Sequence, residues 1–101
     1  MIEESVKLRP AKLDDTNAVA NVFLRARAAM NYVPSIHTDH ETRNWIYRYV
    51  IPHLTVTVAE IDDRLVGFAA VQDHWLEHLY VDPAIHSRGI GSRLLKSVQT
   101  H

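Results

Sequence analysis

The sequence contains no cysteine. A disulfide framework, a thiolate metal site and a cysteine nucleophile are therefore excluded together. Long apolar runs are also missing. The longest, Leu65 to Val71, falls far short of the roughly 20 residues that cross a bilayer. The N-terminus, Met1-Ile2-Glu3-Glu4-Ser5, is acidic and has neither a basic region nor an apolar core. It does not read as a signal peptide, so the expected location is the cytoplasm and no membrane partner is expected. Nor does one sign of charge dominate: 11 Lys and Arg face 12 Asp and Glu, a formal charge of −1. Without a basic field, nucleic acid is not an expected partner.

What is present describes an ordinary folded domain. Of 101 residues, 47% are hydrophobic and 23% charged, which excludes disorder and leaves one small core. The expectation is a single domain over residues 1–101.

Val6-Lys7-Leu8 alternates before Arg9-Pro10, which suits a short strand. Asp14 or Asp15 then reads as the N-cap of a helix whose apolar face holds Val19, Val22, Phe23, Ala26, Ala29 and Met30, closed by Pro34. Thr38-Asp39-His40-Glu41 has the form of a capping box. The helix it opens carries Trp45, Ile46, Tyr49 and Val50 on one side and stops near Pro52. Phe23, Trp45, Tyr49 and Phe68 read as core residues. Leu54 to Ile61 and Leu65 to Gln72 flank an Asp62-Asp63-Arg64 turn and predict a β-hairpin. Asp73-His74-Trp75 turns the chain into a third strand, Leu76 to Val81. A last helix carries Ile90, Leu94, Leu95 and Val98 on one face.

The third strand contains a conflict of parity. Leu79 and Val81 share a face, whereas Leu76 lies an odd number of residues away and falls on the other. Either an extra residue is absorbed near Glu77-His78 as a β-bulge, or the strand is buried on both faces. Bulges are common beside active sites.

With only three glycines in the chain, the pair Gly89 and Gly91 stands out. They lie where strand gives way to helix, flanked by Arg88, Ser92 and Arg93. Glycine lets the backbone approach a ligand closely, and the first helical turn carries unpaired N–H groups at the positive end of the dipole. Such a turn binds phosphate or diphosphate; equally, the glycines serve a tight turn and nothing more. The P-loop pattern is absent. The dinucleotide fingerprint fails as well, because position 94 is Leu and the preceding strands form an antiparallel meander.

The whole string Leu79-Tyr80-Val81-Asp82-Pro83-Ala84-Ile85-His86-Ser87-Arg88-Gly89-Ile90-Gly91-Ser92-Arg93-Leu94-Leu95 resembles the acetyl-CoA-binding signature of the GNAT superfamily of N-acetyltransferases. Gly89 and Gly91 match the two glycine positions, while His86 stands where Gln or Arg is usual. Arg9-Pro10-Ala11 with Asp14-Asp15 also looks like the start of such proteins.

The resemblance implies an α/β (α+β) fold of order β-α-α-β-β-β-α, a mostly antiparallel sheet flanked by helices. It implies acetyl-CoA as cosubstrate. Leu79, Tyr80 and Val81 would offer backbone groups to the pantetheine arm, and His86, Ser87, Arg88, Gly89, Ile90, Gly91 and Ser92 would hold the diphosphate. A backbone N–H near Leu79 would polarise the thioester carbonyl. The implied reaction is direct attack of an amine, from a small molecule or a peptide, on acetyl-CoA.

Glu77 is the first choice for the base that deprotonates the amine, acting through water. His78, with a reference pKa of about 6.5, is the second. Glu77 reads equally well as a solvated strand carboxylate, and His78 as a half-buried ring. The order His74-Trp75-Leu76-Glu77-His78 is not the helical zinc motif, so no metal is expected.

The family pattern continues past this helix with a further strand, helix and strands, and the sequence ends at His101. Against that pattern the domain reads as truncated, with the third strand of the meander a bare edge. The implied outcomes are a homodimer covering that edge or a fragment of a longer chain. The alternative to an enzyme is a truncated acetyl-CoA-binding module without turnover, acting by ligand binding or self-association.

Overall fold

A computed structural model describes residues 6–30, 37–85 and 89–99. Four strands, β1 (Val6–Pro10), β2 (Thr55–Ile61), β3 (Arg64–Gln72) and β4 (Trp75–Val81), form one antiparallel sheet in the order β1-β2-β3-β4. The helices are α1 (Thr16–Ala29), α2 (Asp39–Trp45), a short α3 (Ile51–His53) and α4 (Ile90–Gln99). This is the α+β arrangement expected from the residue pattern.

The sheet is covered on both faces. On one, Val19, Val22, Ile46 and Val50 from the α1–α3 side bury Val56, Val58, Phe68 and Ala70. On the other, Ile90 and Leu94 of α4 close over Ala59, Ile61, Val66 and Ala69. Phe68 is 1% exposed and Leu94 0%, so two half-cores share one sheet and the strands read as near-continuous apolar runs. The β2–β3 turn places Asp62 and Asp63 both at positive φ (51° and 64°), the twist-matched arrangement for a tight hairpin.

Three local expectations are corrected. Asp15 occupies the N-cap position of α1 without capping it. Its carboxylate instead accepts the Lys12 N–H at 2.7 Å, closing a 3-10 turn over Leu13–Asp15, and takes two bonds from Arg9. Tyr49 is not in the core, being 43% exposed. The helix that α2 begins does not stay α-helical. Over Ile46–Val50 it widens to a π-helical turn, in which the Ile51 N–H reaches the Ile46 carbonyl. Pro52 follows; it lacks an N–H and its ring crowds the carbonyl four residues back, and the wider turn accommodates it. That widening moves Tyr49 out of the buried stripe while keeping Ile46 and Val50 in it. The capping box is present: the Glu41 N–H donates to Thr38 Oγ1 at 3.0 Å and the Thr38 N–H to Glu41 Oε1 at 2.7 Å. Pro34 lies outside the described residues.

Candidate functional site

The site grows from the irregularity in β4. Ala70 pairs with His78 and Val71 with Leu76, so Glu77 is the extra residue of a β-bulge. The parity conflict thus resolves as a bulge. Leu79 and Val81 pack against the α4 half-core. Leu76 joins that face, meeting Leu95 and Val98 of α4 across a cavity of about 380 Å³. On the opposite face the His78 ring meets Trp45 edge-on (5.1 Å, 86°), and the Tyr80 ring meets Phe23 (4.9 Å, 71°). Glu77 is exposed and His78 half-buried, so the two candidate bases occupy different environments. Burial pushes the His78 imidazole below its ordinary value, and the nearby Glu77 carboxylate only partly opposes this.

The main chain of β4 has a definite polarity. The Asp82 N–H donates to the Val66 carbonyl at 2.8 Å. Antiparallel alternation then turns the backbone groups of Tyr80 toward β3 and those of Leu79 and Val81 toward the open side. The Tyr80 carbonyl does lie on the β3 side, 3.1 Å from where a Cβ on Gly67 would stand. Among the described residues β4 has no partner on its outer side. Of the three residues expected to offer backbone groups, Leu79 and Val81 therefore present theirs outward, and Tyr80 contributes its ring to the other face.

Beyond β4, Asp82 is 2% exposed. Its side chain accepts the Ala84 N–H at 3.0 Å and the Arg25 guanidinium at 2.9 Å, and Arg64 lies 3.6 Å away. Burial alone would raise this carboxyl, but those donors outweigh burial and hold it below the usual carboxylate range. The sequence singled out Asp82 only as one member of the signature string. Its cationic partners come from α1 and the start of β3, and no local pattern signals them.

Gly89 has φ +70°, and among the described residues no atom beyond its chain neighbours lies within 4 Å of a hypothetical Cβ. Its carbonyl accepts the first helical bond, from the Arg93 N–H at 3.0 Å. The amides of Ile90, Gly91 and Ser92 precede that bond and have no partner within the helix. Gly91 sits beside Val81, whose Cγ2 would lie 3.8 Å from an added Cβ. The N-terminus of α4 thus stands next to the outward-facing end of β4. Arg93 turns away and reaches the Val6 carbonyl at 3.4 Å. His86, Ser87 and Arg88 lie outside the described residues. No group of three His, Cys, Asp or Glu side chains that could hold a metal occurs among the described residues. No described helix is long and apolar enough to cross a membrane.

Comparison with known proteins follows the same lines. The family described as Acetyltransferase (GNAT) domain matches residues 52–101, the stretch from α3 through α4. The uncharacterized N-acetyltransferase YafP of Escherichia coli K12 is 29% identical over 98 residues, covering 91% of this chain and 64% of the relative. The chain therefore spans somewhat less than two thirds of that curated protein. A GCN5-related N-acetyltransferase structure from Rhodopseudomonas palustris superposes with a TM-score of 0.78 at 19% identity, over 99% of this chain and 67% of the other. The PaiA N-acetyltransferase of Thermoplasma acidophilum, solved in complex with coenzyme A, gives 0.71 at 18% identity, over 95% and 70%. These two structures share the fold.

Proposed function

We propose that this chain is a GNAT-superfamily acetyltransferase, a reading supported by the family match over residues 52–101 and by the curated relative, and that it binds acetyl-CoA along β4 and the head of α4 and transfers the acetyl group to an amine. One observation carries the reading. Outward-facing backbone groups of Leu79 and Val81 stand near the amides of Ile90, Gly91 and Ser92, which have no partner within the helix. A bound linker would pair with the strand edge, and the diphosphate would sit on the helix N-terminus with Gly89 and Gly91 letting it approach. His86, Ser87 and Arg88 belong to the same proposed cradle by their place in the signature. That a relative of this fold was solved with coenzyme A supports the choice of ligand.

The chemistry follows from the charge changes. An ammonium acceptor gives a proton to a base; the neutral nitrogen attacks the thioester carbonyl carbon. Negative charge gathers on the carbonyl oxygen, to which the outward-facing Leu79 N–H would donate. The C–S bond then breaks, and the second nitrogen proton ends on the CoA sulfur. We assign the base to His78. Burial favours its neutral form, which is the form that accepts a proton at neutral pH. Glu77, exposed on the bulge, would act through water. The acceptor is an amine borne by a small molecule or a peptide.

The outer side of β4 also supports self-association of this chain. Trp75 is 75% exposed and Leu76 43% exposed, next to a strand edge that has no partner among the described residues. Light scattering after gel filtration would give a dimer mass, and a monomer at high concentration would overturn this part.

Two measurements decide the function. Calorimetric titration should give saturable CoA binding, and a thiol assay with a panel of amines should show amine-dependent release of free CoA. Binding without release would leave a ligand-binding domain and overturn the transferase reading; absence of binding would overturn both.

A further inference from the structure

We propose that Asp82 is a positioning residue, whose contacts with Arg25 and Arg64 set where the chain leaving β4 delivers the N-terminus of α4. The proposal rests on the acetyl-CoA reading for its consequence in binding, though not for its structural content.

Every polar part of Asp82 has a bonded partner. Its N–H is held by Val66 at 2.8 Å, which ties it to β3. Its carbonyl accepts the Ile85 N–H at 2.9 Å, and its Oδ1 accepts the Ala84 N–H at 3.0 Å. These two bonds force the chain into the 3-10 turn Pro83–Ile85 directly after the strand. The remaining oxygen, Oδ2, takes Arg25 from α1 at 2.9 Å and lies 3.6 Å from Arg64 at the start of β3.

Exposure shows which group is the fixed point. The Asp82 side chain is 3% exposed, while those of Arg25 and Arg64 are 55% and 60% exposed. Two largely exposed cations thus converge on one buried anion, and the anion also holds the turn. A neutral amide in its place could still accept from Ala84. It would attract the two guanidiniums far less, because charge-assisted bonds are about twice as strong as neutral ones. The turn would then be tied to β3 alone, released from α1 and the β2–β3 hairpin. Since the amides of Ile90, Gly91 and Ser92 follow this turn within a few residues, a small displacement there would spoil their convergence on a diphosphate.

The test compares wild-type protein with Asp82→Asn and Arg25→Ala by amide hydrogen exchange and by titration with CoA. In Asp82→Asn, exchange should quicken about tenfold at the bonded amides of Ala84, Ile85 and Arg93, with the β2–β3 pairing unchanged. The dissociation constant for CoA should rise about tenfold, and kcat at saturating acetyl-CoA should hold within about twofold while KM for acetyl-CoA rises. Arg25→Ala, a surface change, should show the same pattern at about a third of the size. Should Asp82→Asn fail to fold, Arg25→Ala combined with Arg64→Ala carries the same readouts. Unchanged exchange at Ala84, Ile85 and Arg93 would overturn the proposal, as would loss of protection spread evenly over the sheet. Failure of the wild-type protein to bind CoA would overturn the acetyl-CoA reading alone, since the exchange arm still decides the role of Asp82.

Discussion

Arg9 and Asp15 meet in a bidentate pair, with two parallel N–H···O bonds of 2.9 Å between β1 and the turn that precedes α1. The same guanidinium also reaches Glu60 on β2 at 3.1 and 3.2 Å. One cation thus holds together the first strand, its neighbour and the entry to the first helix. The Asp15 side chain is only 14% exposed, so solvent screens this pair less than an ordinary surface pair.

Acid should therefore weaken the fold. The Arg9 bonds hold the Asp15 carboxyl below its ordinary value, with burial opposing. A carboxyl whose folded pKa lies below its unfolded one stabilises fully above the unfolded value. That stabilisation fades as pH falls through the ordinary 3.8 toward the lower folded value. Asp82 behaves in the same sense. Asp15→Asn should cost about 2 kcal/mol at pH 7 and flatten the acid limb, read as urea midpoints between neutral pH and about pH 3.

The two signature glycines should separate on substitution. Gly89 sits at φ +70°, so Gly89→Ala should lose about 1 kcal/mol of stability through backbone strain. Gly91 meets only ordinary contact with Val81 at 3.8 Å. Gly91→Ala should leave stability within about 1 kcal/mol, on the favourable side through helix propensity. On the proposed reading its CoA affinity should still fall at least about tenfold, because the new methyl group would stand where the diphosphate is proposed to approach. Paired thermal melts and titrations would show both effects; unchanged affinity in Gly91→Ala would argue that the glycine serves only the turn.

Gly67 is a packing requirement. A Cβ there would stand 3.1 Å from the Tyr80 carbonyl, 3.2 Å from Leu94 Cδ1 and 3.4 Å from Ile90 Cγ2. Gly67→Ala should thus push α4 from the sheet and cost about 1–3 kcal/mol in chemical denaturation. Because the contacted residues belong to β4 and α4, CoA binding should weaken as well.

His78 and Glu77 can be told apart by pH. With the imidazole below 6.5 in the folded protein, kcat/KM should rise with pH through a value under 6.5 and level off by neutrality. His78→Gln should remove that limb and lower kcat by roughly a hundredfold, whereas Glu77→Gln should change it by less than about fivefold. A profile unaltered in His78→Gln would return the base to Glu77 and its water.

Some of this was legible in one dimension because it obeys short-range rules. The odd spacing between Leu76 and Leu79 raised a bulge as one of two readings, and the structure decides for it by putting the extra residue at Glu77. Thr38 and Glu41 announced a helix start because a capping box closes within four residues. Gly89 and Gly91 marked the head of α4 for the same reason. A second irregularity opposite Ala59 and Glu60 left no such trace, since Val66 is apolar and the strand is buried on both faces. The apolar spacing around Tyr49 misled, because it presumes 3.6 residues per turn and the chain there takes a wider one.

The amino-acid order by itself determined the succession of elements, the parity conflict in β4 and the glycine turn, for each depends on backbone sterics or periodicity within a few residues. Only the folded molecule decided that Arg9 serves Glu60, 51 residues away, and that Asp82 gathers Arg25 across 57. Charge-assisted bonds need atoms within about 3 Å, and chain spacing carries no information about that distance until the sheet and its helices have closed.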